Sequence, residues 1–288
     1  MERRQPAFGV LGEDHLVRLA LAVALAVLLT ACSGSGGFGP DAAETPVLHS
    51  PTPTPTETIP PKPTPPPPPR GCYRLGYDEA LAPTSDLRPS SCKRLHTAVT
   101  FYVGSYDKTL PVDGDAVHRV ESTTCPRKFA EFVGGTLDDR RLSMLRTVWF
   151  TPTVAQAATG AHWFECVAIA LRGDRTLAFL RLPVLGALER TVSRDHYALC
   201  GTADPTSAGF EQRICSSPHS WRALRTVAFT AGKYPGQDHV RAAGQQPCQD
   251  AGRSVASDPL QYRWSYQWPS LQQWRDGQRY GVCWAPSS

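Results

Sequence analysis

Long apolar runs are missing from this 288-residue chain. The longest, residues 19–29, has eleven residues, about half of the ~20 that a membrane-spanning helix requires. Cys-x2-Cys and His-x3-His pairs are absent too, and such short spacings are how most structural zinc sites are written. Neither Gly-x-Ser-x-Gly nor His-Glu-x-x-His occurs, so neither hydrolase signature is present. Charge is sparse, with Asp, Glu, Lys and Arg at 19%. Beyond residue 71 there are 25 basic residues (30 minus 5) against 20 acidic ones (26 minus 6). An excess of five is too mild to call for nucleic acid. No nucleic-acid partner, cofactor, metal or catalytic residue is expected.

What is present begins with an export address. Arg3, Arg4 and Arg18 precede the apolar run, and Leu29-Thr30-Ala31-Cys32 follows it. Residues 1–31 therefore read as a signal peptide. Leu29-Thr30-Ala31-Cys32 resembles the bacterial lipobox, which implies cleavage before Cys32 and lipid on its sulfur. Two acyl chains give stable anchoring where one does not. Residues 32–71 continue as a small, polar, proline-rich linker. Between Pro51 and Pro69, 11 of 19 residues are proline, so this part is expected to be a stiff, extended stalk rather than a core.

Eight more cysteines follow, at 72, 92, 125, 166, 200, 215, 248 and 283. An even number in an exported chain reads as four disulfides. They fall into two fours with matching internal spacing. Cys92 to Cys125 and Cys215 to Cys248 each enclose 32 residues, and His96 and His219 stand four after the second cysteine of each set. Pro152, Gln156, Gly160, His162 and Cys166 repeat the spacing of Pro269, Gln273, Gly277, Arg279 and Cys283. This pattern reads as an internal duplication, with units at 72–170 and 195–288 and a connector at 171–194. Four cysteines allow three connectivities per unit. The constant gap favours the second with the third and the first with the last.

Stretches 98–103, 145–151, 163–171, 224–229, 261–268 and 280–284 are rich in β-branched and aromatic residues and read as strands. Residues 115–122 and 237–243 read as helical, the latter after the Tyr234-Pro235-Gly236 turn. The fold class is α+β: two tandem small disulfide-closed units, each an antiparallel sheet with one helix.

The second unit carries Cys215-Ser-Ser-Pro-His219, Tyr234-Pro235-Gly236, Cys248 and Trp274-x2-Gly277-x-Arg279-x3-Cys283. With these it resembles the septum formation domain of actinobacterial exported and lipid-anchored proteins. The first unit is a weaker image, with Leu95 at the proline and Ala157 at the tryptophan. Val99 and Arg222 stand where the family's acidic residue is expected, three after the histidine. The resemblance implies a surface protein linked to division, without an established chemistry.

His96 and His219 are the only histidines at matched positions, and a histidine behind a turn most often bonds backbone to hold that turn. Seven aromatics crowd between Tyr262 and Trp284. Tyr262, Trp264, Tyr266 and Trp268 alternate, so a strand would put them on one face. Such a row suits stacking on sugars or gripping a protein, or else fills a small core. The reading is a non-catalytic, lipid-anchored binding module on the outer face of the cytoplasmic membrane, possessing the membrane and an envelope protein or wall component as partners. His219, Trp264, Trp268, Trp274 and Arg279 are its candidate contacts. A peptidoglycan hydrolase or modifying enzyme is the alternative.

Overall fold

A computed structural model describes residues 62–85 and 88–287. The expected signal peptide, Cys32 and most of the stalk lie outside the described residues. Among the described residues no helix is long and apolar enough to cross a membrane.

The first half runs β1 (Cys72–Tyr73), α1 (Tyr77–Ala80), β2 (Ala98–Ser105), α2 (Asp115–Val133), α3 (Leu137–Arg141), β3 (Leu145–Phe150), α4 (Val154–Ala158), β4 (Trp163–Gly173) and β5 (Thr176–Leu177). After a 3-10 turn at Ala187–Glu189 and α5 (Thr191–Tyr197), the second half runs β6 (Leu199–Gly201), β7 (Gln212–Ile214), β8 (Trp221–Ala228), α6 (Gln237–Ala243), α7 (Gln245–Val255), β9 (Ser265–Gln267), α8 (Leu271–Arg275) and β10 (Tyr280–Pro286). The class is α+β with antiparallel sheets. The six expected strands are present, although β9 keeps only three of the eight residues expected at 261–268.

The two sheets have the same plan. One is ordered β1-β2-β4-β3, with β5 on β4. The other is β7-β6-β8-β10-β9, so β6, β8, β10 and β9 take the places of β1, β2, β4 and β3. Register agrees as well. Tyr102 lies opposite Cys166 and Arg225 opposite Cys283. Both pairings slip by one residue just beside these positions, leaving Phe101 and Leu224 as the extra residues. A bulge of this kind bends its strand and increases local twist, so both sheets bend at the same place.

The disulfides correct the expected connectivity. The bonds are Cys72–Cys92, Cys125–Cys166, Cys200–Cys215 and Cys248–Cys283. First pairs with second and third with fourth in each half. The 32-residue gap is constant because it spans a fixed strand-crossover-helix unit, not because a bond closes it. The helix cysteine sits on the face that meets the central strand. Cys125 of α2 thus bonds Cys166 of β4, and Cys248 of α7 bonds Cys283 of β10.

The halves keep small clusters of their own around Val148 and Ile169, around Cys125–Cys166 and around Cys248–Cys283, but they are not separate units. Both belong to one compact body. Its largest cluster joins Val133, Leu145 and Ala168 to Leu199, Trp221 and Trp284. Backbone bonds tie the halves at the same place: Met144 N–H donates to Tyr197 O at 2.7 Å and Leu199 N–H to Leu142 O at 2.8 Å. Small sheets bury a modest core alone, and the shared cluster adds to the local ones.

The second half also departs from the one-helix expectation. Its helix divides into α6 and α7 at Gly244. A Cβ there would fall 2.0 Å from the Tyr266 ring, so this close approach requires glycine. A further departure lies before β1. Residues 62–71 were expected to belong to the free stalk, yet Thr64 and Pro67 are half-buried. The Trp163 indole N–H donates to Thr64 O at 3.3 Å.

Candidate functional site

The repeated Pro-x3-Gln-x3-Gly spacing is a helix with both ends written in. Thr153 caps α4, with Gln156 N–H donating to Thr153 Oγ1 at 3.2 Å and Thr153 N–H to Gln156 Oε1 at 2.9 Å. Ser270 and Gln273 do the same for α8, at 3.2 and 2.8 Å. This is the reciprocal capping box. At the other end Gly160 and Gly277 have φ of +97° and +96°, the left-handed conformation that suits glycine. Ala161 N–H then reaches back to Gln156 O at 3.1 Å, and Gln278 N–H to Gln273 O at 2.8 Å. The identical frames place two different residues, Ala157 and Trp274, at the same point.

Trp274 is 4% exposed and fills a socket. Its indole N–H donates to Gly232 O at 2.9 Å. Its ring lies 5.8 Å from that of Phe229 and 5.5 Å from that of Tyr234. The Arg279 guanidinium stands over it at 5.9 Å. In the first half Tyr106 takes the place of Phe229, Pro111 that of Tyr234 and Ala157 that of Trp274. A cleft of about 270 Å³ opens there, lined among others by Tyr106, Leu110, Pro111, Val154, Ala157 and Gly160. That is just below the ~300–1,000 Å³ of pockets for drug-sized ligands. One indole ring in one half therefore corresponds to a side-chain-sized cleft in the other.

The other candidate contacts are dispersed. Trp264 and Trp268 are half-buried beside Tyr266 and the Cys248–Cys283 bond. Three of the alternating row, Trp264, Tyr266 and Trp268, thus pack on that small core, with Tyr266 buried, while Tyr262 meets the Arg253 guanidinium instead. Burial raises the Tyr266 hydroxyl to about 12. Of the five residues, Trp274 and Arg279 are brought together, as are Trp264 and Trp268. His219 stands elsewhere, beside Cys200–Cys215. Its ring and both sulfurs lie within 4.8 Å of one another, but the sulfurs are bonded to each other. His219 Nδ1 is 2.8 Å from Ser217 O, and His96 Nδ1 is 2.8 Å from Arg94 O. Each matched histidine holds the turn two residues behind it. At the missing acidic position, Arg222 instead pairs with Asp195 of α5 at 2.5 Å.

Sequence reasoning missed a buried carboxyl. Glu165 on β4 is 3% exposed and faces away from α2. It accepts from Thr100 Oγ1, close to Tyr73. Burial raises its pKa above the ordinary carboxyl value, against the lowering effect of the Thr100 and Tyr73 hydrogen bonds. Burial and the nearby Glu165 charge push the Tyr73 hydroxyl up as well. The second half has Val282 at this point of β10. The signal available in the sequence was a lone Glu inside the apolar run 163–171.

A family model described as Septum formation matches residues 71–283. The match is continuous through both halves. No curated protein and no solved structure matches the chain.

Proposed function

The chain belongs to the septum formation family, and from that premise we propose that it is a lipid-anchored, non-catalytic binding module at the outer face of the cytoplasmic membrane. It acts there in septum formation or a related wall process. The observation that carries this reading is that all eight cysteines beyond residue 71 are joined in pairs. Bonds of this kind persist in oxidising surroundings, which agrees with the export signal and with Cys32 as the lipid-bearing residue. It also leaves no thiol free for nucleophilic use among the described residues. The matched histidines hold backbone turns, which supports binding over acid-base chemistry. The shared strand order, bulge position and disulfide placement support an ancestral duplication within this chain.

Trp264 and Trp268 keep partial exposure and are the proposed contacts for an envelope protein or wall component, with His219 and Arg279 as secondary ones. Trp274 fills its own socket. Cell fractionation tests the anchor: Cys32→Ser should move the protein from the membrane to the soluble exported fraction. Retention in the membrane would overturn the lipid assignment. Incubation with purified peptidoglycan tests the non-catalytic reading, and dye release that is lost in a His219→Ala protein would replace it with the hydrolase reading.

A further inference from the structure

We propose that the Ala157 cleft together with Trp163 is a binding site for a proline-rich, polyproline-type segment, held at its rim by this chain's own residues 63–67. The proposal deepens the binding-module reading by naming the ligand class of one site.

The cleft and the Trp274 socket stand on the same capped helix. The second half fills its socket with its own indole. The first half has Ala157 there, and its lining combines the apolar surfaces of Tyr106, Leu110, Pro111 and Val154 with the polar Lys108 and Asp113. Polyproline helices dock in aromatic-lined grooves because their shape is preformed and little ordering entropy is lost. They have few N–H groups, so recognition falls to donors that reach their carbonyls. Trp163 does this for Thr64 O at 3.3 Å. Beside it, a Cβ on Gly160 would come within 3.3 Å of Pro63 Cγ. Gly160 also lines the cleft, so the proline segment and the cleft meet at one residue. Thr64 and Pro67 are the half-buried positions of the segment. Their spacing of three matches one turn of a polyproline helix.

The cis segment competes with an incoming one, because a short tether gives it an effective concentration near the millimolar range. Binding in trans is therefore weak until the segment is displaced or its grip is loosened.

Titration of the full-length protein in detergent with a synthetic Thr-Pro decamer, followed by fluorine NMR of fluorotryptophan, tests the site. The Trp163 resonance is assigned by loss in Trp163→Phe. The decamer should shift this resonance, and Pro63→Gly should tighten binding several-fold by weakening the competitor. Ala157→Trp, which copies the second half, should weaken binding at least tenfold. Val154→Glu on the exposed lip should weaken it too, and this variant alters no buried position. Absence of binding to both the wild-type and the Pro63→Gly protein would overturn the proposal. So would binding by the Ala157→Trp and Val154→Glu variants as tight as that of the wild-type protein, or a preference for a proline-free tryptophan peptide. Each of these results leaves the membrane and wall-release tests standing, so failure here is distinguishable from failure of the general reading.

Discussion

The first half carries Ala157, Pro111 and Glu165 where the second carries Trp274, Tyr234 and Val282. The backbone around these positions is the same: the same capped helix, the same bulge beside the central disulfide, the same strand order. What differs is which half completes its own packing. The second half places an indole in its socket and an aliphatic residue on the far face of β10. The first half leaves a cleft and buries a carboxyl. Equal frames with unequal fillings separate the residues that build the fold from those that give each half its own surface.

The sharpest break of this comparison is exchange at the filled point. Trp274→Ala should cost about 3–5 kcal/mol, as large-to-small changes of a buried aromatic do, read as a lower urea midpoint. Ala157→Trp should cost less, no more than the ~1–3 kcal/mol of an overpacking change, since the cleft gives the ring room. Equal losses would show that the sockets are not equivalent.

Next in size are the bonds from helix to central strand. Removing Cys125–Cys166 or Cys248–Cys283 by paired serine substitutions should cost about 2–5 kcal/mol each. The cluster formed by Val133, Leu145, Leu199 and Trp284 is shared, so either loss should lower one common unfolding transition. Two separated transitions by circular dichroism and tryptophan fluorescence would show that the halves fold independently.

The acids of the two halves should respond to pH in opposite directions. Glu165 has a raised folded-state value because of burial. Its protonated form is favoured in the fold, so stability falls as pH rises from about 4.3 through the raised value. Glu165→Gln should flatten that fall in a pH series of urea midpoints. Asp204 of the second half is pushed up by burial but held below the usual value overall by bonds from Thr206 N–H, Thr206 Oγ1 and Ser265 Oγ. Its contribution is present above the unfolded-state value and is lost as pH falls through the lowered one. Carboxyl carbon NMR should show Glu165 titrating above the ordinary range and Asp204 below it.

The smallest effect sharpens the equivalence itself. Thr153→Ala and Ser270→Ala each remove one N-cap and should cost about 1 kcal/mol. Similar losses in the two halves would show that the caps carry equal weight.

Much of the frame is legible in the sequence. The eight-residue spacing from Pro152 to Gly160 and from Pro269 to Gly277 marked a structural repeat, because caps and left-handed glycines require particular residues at fixed offsets. The cores were less legible. The Tyr262-to-Trp268 alternation fixed one face but not whether that face met solvent, and Tyr266 is buried against Cys248–Cys283. The candidate site was legible only as a difference, Ala157 against Trp274.

By itself the sequence determined the class of the elements and the matched turns, because each depends on residues close along the chain, and the paired state of the cysteines, because their even number goes with an export signal. Which cysteine meets which, how the two halves merge into one core, and why residues 63–67 rest on Trp163 were decided by the tertiary structure. Those contacts join positions far apart in sequence, and their choice depends on how much apolar surface each sheet can bury against the other.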